Sequence, residues 1–275
     1  LEGDHHDRIF SFPIPTYNVT EDFPWDSEVG ELLLQLTAKY GVPYFQNFIN
    51  SDLRPEDVRS MCCRLQMDLR ELQHRTGGLF GAGDLTGSIG VVTLNLAKLG
   101  YLAQDEEDFL ELISEYATMA RDSLEFKRKW VTDNMERGMF PFSYRYLKNG
   151  LKAHFSTIGL IGGHEACLNL LDKGIETQSG VRLMTRTLDH LRELTSKFQE
   201  QTGHLFNLEA TPAEGTSYRL AKIDKQLYQD IVTSGDEVPY YTNSTTLPVD
   251  ATSDVIAALE HQNMLQPKYT GGTVF

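Results

Sequence analysis

Apolar positions along this chain follow two alternating patterns, one with helical spacing and one of short β-branched or aromatic runs. Val29, Leu32, Leu33 and Leu36 lie three and four residues apart and predict a helix over 27–40, stopped by Gly41. Pro43-Tyr44-Phe45-Gln46-Asn47-Phe48 reads as a short strand, and Pro55 to Arg59 as a brief helical turn. Gly77, Gly78, Gly81, Gly83 and Gly87 mark a glycine-rich connection. The stretch 88–96 is β-branched and apolar enough for a buried strand. A long amphipathic helix is predicted from Glu106 to Glu136, ended near Gly138 and Pro141. The rest alternates in the same way. Strands are predicted at 154–161 and 205–209. Helices are predicted from Gly162-Gly163 to Asn169, over 181–201, after the turn that follows 209, and over 252–262.

Short strands alternating with longer helices indicate βα units and a mainly parallel sheet or barrel, so the predicted fold class is α/β. No internal repeat, low-complexity segment or linker interrupts the pattern, which makes residues 1–275 a single domain. The chain opens on Leu1, and Thr270-Gly271-Gly272-Thr273-Val274-Phe275 reads as a strand just beginning, so an incomplete domain from a longer protein is expected.

Composition narrows the partners more than the fold. The 275 residues carry a formal net charge of -14, which argues against general attraction to nucleic acid or to an anionic membrane. An anionic small molecule held by local backbone N–H groups is still compatible with that charge. No apolar run reaches membrane-spanning length and no basic-then-apolar leader opens the chain. Three cysteines provide no disulfide framework, which fits a reducing, cytoplasmic setting.

Two of those cysteines are adjacent, in Met61-Cys62-Cys63-Arg64. The doublet lacks the spaced partners that a zinc site requires, and neighbouring residues rarely meet the geometry of an unstrained disulfide. Both thiols could be small buried hydrophobes, a common fate of free cysteine. A reactive thiol is the other reading. Ionic catalysis needs a base and an electropositive setting, and Arg64 and His74 form no recognisable cysteine-hydrolase signature. A sulfur radical instead needs a closed cavity with few competing hydrogen donors, which apolar neighbours such as Met61 and Leu65 would suit.

A second candidate follows the strand at 205–209, in the run Glu209 to Arg219. Gly215 permits close backbone approach, Thr216 and Ser217 offer hydroxyls, and a helix N-terminus supplies free N–H donors, all suited to a phosphate. The same run also fits a helix start capped by Thr or Ser, and it lacks the ending of a Walker motif. His5 and His6 beside Asp4 and Asp7 fit a solvated polar turn better than a metal site, since no spaced partner is visible. Glu165 suits the electrostatics of a helix start, Cys167 falls on an apolar helix face, and the charged stretch 121–137 fits a solvated helix face.

These segments, taken in order, resemble the anaerobic (class III) ribonucleoside-triphosphate reductases. The resemblance runs from Phe12-Pro13-Ile14-Pro15-Thr16-Tyr17-Asn18-Val19-Thr20 through Tyr44-Phe45-Gln46-Asn47-Phe48 and Met61-Cys62-Cys63-Arg64. It continues through Gly90-Val91-Val92-Thr93-Leu94-Asn95-Leu96 and Glu209-Ala210-Thr211-Pro212-Ala213-Glu214, and closes on Tyr269 to Phe275. It implies part of a ten-stranded glycyl-radical-enzyme barrel with a central cysteine finger loop, in the manner of pyruvate formate-lyase. Cys63 would carry the thiyl radical that abstracts the 3′ hydrogen of the ribose, and the 2′ hydroxyl would leave as water. Formate is the expected reductant, with Met61 and Cys62 in supporting positions. Thr211, Pro212, Ala213, Glu214, Gly215, Thr216 and Ser217 would hold the substrate phosphates.

The resemblance further implies a glycyl radical and a four-cysteine zinc site C-terminal to Phe275, so no metal is expected within this chain. ATP/dNTP effector regions would lie upstream of Leu1. The implied partners are a ribonucleoside triphosphate, an iron–sulfur, S-adenosylmethionine-dependent activase and a second copy in a homodimer. Two positions depart from the family pattern. Ser88 stands where many members place an asparagine facing the substrate, and Cys62 replaces a small residue. A pyruvate formate-lyase-like enzyme and a non-catalytic nucleotide-binding barrel are the alternatives. The segment 209–217 argues against the first.

Overall fold

The computed structural model describes residues 5–6, 15–49, 55, 58–61, 65–68, 87–147, 150–211 and 213–270. The chain forms two compact units, Leu1–Val58 and Arg59–Phe275.

In the first unit, strand β1 (Thr16–Val19) and strand β2 (Tyr44–Asn47) pair in parallel, Thr16 opposite Tyr44 and Val19 opposite Asn47. Helix α1 (Glu28–Tyr40) makes the crossover that parallel pairing requires. Its start is capped by the Ser27 hydroxyl, which accepts from the Gly30 N–H at 3.1 Å, and Gly41 ends it in the left-handed region, φ 67°. Of the predicted apolar face, Leu33 is buried while Val29 and Leu32 are exposed.

Strands β3 (Val58–Met61) and β4 (Leu65–Asp68) form another two-stranded sheet. Only residues 62–64 join them, too short for a parallel crossover, so the pair is a hairpin. The helical turn expected over Pro55–Arg59 is present at Pro55, which is in 3-10 conformation, but does not extend to Arg59. Val58 and Arg59 are extended, because pairing with a neighbouring strand outweighs a weak local turn preference. The glycine-rich connection at 77–83 and the terminal strand at 271–275 lie outside the described residues.

The remaining strands, β5 (Gly87–Asn95), β6 (His154–Ile161) and β7 (Leu205–Glu209), form a parallel sheet in that order. They are linked by helices α2 (Leu96–Leu102), α3 (Glu106–Glu136), α4 (Pro141–Tyr146), α5 (Gly163–Leu171) and α6 (Gln178–Thr202). Helix α7 (Glu214–Leu227) follows β7, and helix α8 (Val255–Asn263) lies near the end. The predicted strands at 154–161 and 205–209 and the helix at 106–136 are found at those bounds. Helix α6 begins three residues before the predicted 181 because Thr177 caps it, its hydroxyl accepting from the Gly180 N–H.

One face of this sheet packs on helices. Leu94, Ile158, Leu160, Phe206 and Leu208 share a core with Phe109 and Ile113 of α3 and Leu188 and Leu191 of α6. A buried Arg128 on α3 ties that helix to the start of β6, donating to the Leu151 and His154 carbonyls and to Ser156 Oγ. Successive strand residues alternate faces, so the opposite face carries the other half of each strand.

Candidate functional site

The register sets out that opposite face in rows. Ser88 stands beside Phe155 and Leu205, Val91 beside Thr157 and Asn207, and Thr93 beside Gly159 and Glu209. A bulge between Ser88 and Gly90 keeps Ser88 on this face. The helix-facing side is mainly aliphatic, whereas this side is strongly polar. Thr157 donates to Asn207 Oδ1 at 2.7 Å, which fixes the amide orientation and leaves Asn207 Nδ2 buried without a partner among the described residues. Ser88 Oγ and Glu209 Oε2 are likewise buried and unpartnered. Glu209 is 2% exposed, and burial alone raises its pKa to about 7. Gly159 has no side chain because Thr211 and Thr93 close over it. A Cβ there would lie 2.5 Å from Thr211 Cγ2 and 3.2 Å from Thr93 Oγ1.

Beyond Glu209 the chain turns into α7. Ala213 holds the N-cap position at φ 43°, a left-handed conformation unfavourable for a residue with a Cβ, and no side chain caps the helix. The alternative of a plain Ser- or Thr-capped helix start is not what the structure contains. The first-turn N–H donors of α7 have no side-chain cap, and Gly215 is open, with nothing within 4 Å of an added Cβ. The hydroxyls behave differently from their sequence reading. Ser217 Oγ donates to the Tyr241 carbonyl and accepts from the Tyr241 N–H at 3.0 Å, and Thr211 Oγ1 donates to the Leu160 carbonyl at 3.1 Å. Both are buried struts, so the backbone N–H groups and Thr216 are the donors that face outward. Pro212 and the side chain of Glu214 lie outside the described residues.

Segment 240–246, which the sequence reading left unassigned, braces this loop. Asn243 bridges Ile161 at the end of β6, and Ser244 Oγ donates to the Leu160 and Thr211 carbonyls. Tyr241 OH donates to Asp224 Oδ2 on α7, which also accepts from Asn95 Nδ2 at the end of β5. The segment is held in turn by Glu165, a fully buried carboxylate that accepts from the N–H and hydroxyl of Thr242 and from Ser234 Oγ. Sequence reasoning gave Glu165 only a helix-start role. Its true partners are about seventy residues away, and no local signal could show them.

Other sequence candidates lie elsewhere in the chain or outside the described residues. Met61 is the last residue of β3, and Cys62 and Cys63 lie outside the described residues, as does the side chain of Met61. Cys167 is buried in the core as expected, and burial pushes its thiol up to about 12. His5 and His6 lie in an exposed turn. Among the described residues, no group of three or more His, Cys, Asp or Glu could hold a metal ion, and no helix is long and apolar enough to cross a membrane. A cavity of about 410 Å³ opens beside Arg128, Lys152 and His204, at the N-terminal ends of β6 and β7. It is therefore at the opposite end of the parallel strands from α7.

Comparison with known proteins gives this geometry a context. The family model described as anaerobic ribonucleoside-triphosphate reductase matches residues 1–275. The anaerobic ribonucleoside-triphosphate reductase of Haemophilus influenzae is 26% identical over 209 residues, covering 70% of this chain and 29% of that protein. That of Enterobacteria phage T4 is 31% identical over 187 residues, covering 61% of this chain and 29% of its own length. The chain thus spans under a third of the curated relatives it matches. The crystal structure of the anaerobic ribonucleotide reductase from Thermotoga maritima with citrate in the active site superposes with a TM-score of 0.73. It is 19% identical and covers 99% of this chain and 48% of that one. At that identity the match speaks for a shared α/β fold.

Proposed function

Because the chain belongs to the anaerobic ribonucleoside-triphosphate reductase family, we propose that it supplies the thiyl cysteine and much of the substrate pocket of an enzyme that reduces ribonucleoside triphosphates to 2′-deoxyribonucleoside triphosphates. The observation that carries this reading is the polar sheet face running into an uncapped helix N-terminus. A phosphate chain is matched by the free N–H groups and dipole at the start of α7. The sugar would then lie over the rows of Thr93, Asn207 and Glu209. Ser88 is four strand positions back from the row of Gly159 and Glu209, about 13 Å along the sheet, a separation on the scale of a nucleotide.

In this reading Cys63, which lies between β3 and β4 in the sequence, takes the 3′ hydrogen of the ribose as a thiyl radical, and the 2′ hydroxyl leaves as water. Formate serves as reductant, with Met61 and Cys62 beside the radical cysteine. The three described sheets belong to a ten-stranded barrel completed elsewhere in the enzyme. The described residues do not fit a zinc site, so the structural zinc and the glycyl radical are assigned to other segments, as are ATP/dNTP effector sites. The working enzyme is a cytoplasmic homodimer activated by an iron–sulfur, S-adenosylmethionine-dependent partner.

The test uses the full-length parent enzyme, purified without oxygen and radical-activated, with formate and a ribonucleoside triphosphate. Cys63→Ser is expected to form the glycyl radical and yield no deoxynucleotide, while Cys62→Ser keeps measurable turnover. Unchanged turnover in Cys63→Ser would refute the assignment. A wild-type protein that binds nucleotide without reducing it would favour a non-catalytic barrel.

A further inference from the structure

Helix α7 is clamped from one side by a single buried residue. Tyr241, 1% exposed, holds the helix at two points along its length. Its carbonyl accepts from Ser217 Oγ and its N–H donates back at 3.0 Å, while its hydroxyl donates to Asp224 Oδ2 at 3.0 Å. Ser217 and Asp224 lie on one helix face, about 10 Å apart along the axis. Asp224 is itself 2% exposed, and the same Oδ2 accepts from Asn95 Nδ2 at 2.6 Å. Asn95 ends β5, and its Oδ1 starts α2 by accepting from the Lys98 N–H. One carboxylate oxygen thus fastens α7 to the C-terminal end of the sheet.

Resting on the proposed reductase reading, we infer that Asn95, Asp224 and Tyr241 are positioning residues that aim the start of α7 at the substrate phosphates. The favourable field of a helix start is confined to its first turn, so a shift of about 1 Å in α7 changes what its N–H groups can reach. Ala213 at that start has φ 43°, a strained conformation that persists only where the surroundings over-determine it. The clamp supplies that constraint from both flanks. Tyr241 fixes the helix, and Ser244 fixes the loop before it by donating from Oγ to the Thr211 carbonyl. The Tyr241 phenol is a fixed donor, because burial first and the adjacent Asp224 charge second raise its pKa. Lys98 Nζ, 4.0 Å from Asp224 Oδ1, supplies a nearby positive charge. None of the three needs to touch the nucleotide, since each acts through the helix.

The arrangement dictates which replacements are tolerated. An asparagine at 224 keeps an acceptor oxygen for Asn95 and Tyr241, whereas an alanine leaves both donors without it. Tyr241→Phe removes the hydroxyl but keeps the ring and both backbone bonds to Ser217, so α7 loses one of its two fastenings. Because the hydroxyl acts through Asp224, its removal should matter little once Asp224 is alanine.

The experiment takes the activated full-length enzyme and compares wild type, Tyr241→Phe, Asp224→Asn, Asp224→Ala and the Tyr241→Phe/Asp224→Ala double variant. Ribonucleotide reduction is inhibited with two probes, inorganic tripolyphosphate for the phosphate site and the substrate's ribonucleoside for the rest of the pocket. Tyr241→Phe and Asp224→Ala are expected to weaken tripolyphosphate inhibition and to raise the KM of the ribonucleoside triphosphate, each by about tenfold. Glycyl radical content and ribonucleoside inhibition should stay within about twofold of wild type, since the rest of the pocket is untouched. Asp224→Asn should stay within about threefold of wild type, and the double variant should be no worse than Asp224→Ala. Tyr241→Phe, which removes one oxygen, decides the matter if Asp224→Ala does not fold. Equal weakening of both probes, or loss of the radical, overturns the inference in favour of a general structural role. Unchanged tripolyphosphate inhibition in Tyr241→Phe overturns it as well. A wild type that reduces ribonucleotides yet is indifferent to tripolyphosphate overturns it while leaving the reductase reading intact. A wild type that reduces no ribonucleotide removes the reductase reading and this inference with it.

Discussion

Two buried glutamates show how little the residue type alone decides. Glu165 is surrounded by donors from Thr242 and Ser234 and works as a tether. Glu209, equally hidden, meets none at Oε2, so its charged form is penalised by desolvation. Its pKa is raised from 4.5 to about 7, so between those values the folded state holds a proton that the unfolded state has released. Its contribution to stability is therefore fully present below about pH 4.5 and is lost as pH rises through 7. The loss amounts to up to about 3 kcal/mol. Urea unfolding of wild type and Glu209→Gln across that range should show wild type losing up to about that much relative to the variant. A difference that stays flat with pH would show that the carboxyl is not desolvated. Sequence pointed to the run beginning at Glu209, but the isolation of this carboxyl emerges only from the folded sheet.

At the scale of elements, the connection after β5 is the clearest departure from the sequence pattern. Leu96-Ala97-Lys98-Leu99-Gly100-Tyr101-Leu102 continues the apolar character of the strand, yet it forms α2, started by Asn95 Oδ1 accepting from the Lys98 N–H at 3.2 Å. Helix α2 crosses α5 at Gly100, where an added Cβ would lie 2.7 Å from the Ala166 carbonyl oxygen and 2.8 Å from its Cα. Gly100→Ala gains up to about 1 kcal/mol in helix preference. Overpacking against backbone costs typically 1–3 kcal/mol, and a carbonyl inside a helix has little room to move. The clash should win, so thermal unfolding is expected to show a net loss of about 1–2 kcal/mol. A stabilised Gly100→Ala would mean that the helices separate easily. Helix α7 depends on similar long-range support, since Tyr241 joins Ser217, Asp224 and, through Asp224, Asn95.

At the scale of the molecule, the chain matches only 29% of the length of its curated relatives while matching its family model throughout. The chemistry proposed for Cys63 needs a radical that no described residue supplies. We therefore expect these 275 residues by themselves to give no deoxynucleotide under activating conditions, in an assay where the full-length parent does. Turnover by the 275-residue chain alone would overthrow that expectation. The net charge of -14 adds a constraint: a polyanionic substrate gains nothing from the overall field, so local N–H groups such as those at the start of α7 must bind it.

The sequence by itself determined the α/β class, the longer strands and helices, and the family. Periodicity and end signals act within a few residues, so the strands at 154–161 and 205–209 and the helix at 106–136 could be read directly from their own residues. The loop at 211–217 stood out for the same reason, through its glycine, its hydroxyls and its place between strand and helix. Tertiary structure alone decided what those groups do. It turned the Ser217 and Thr211 hydroxyls inward as struts, put a strained Ala213 where a capping side chain was an open reading, and recruited Glu165 and Tyr241 as supports. It also lined up Ser88, Asn207 and Glu209 on one face. Those relations join residues far apart in sequence, and hydrogen-bond satisfaction and burial are properties of the packed sheet, which no local pattern encodes.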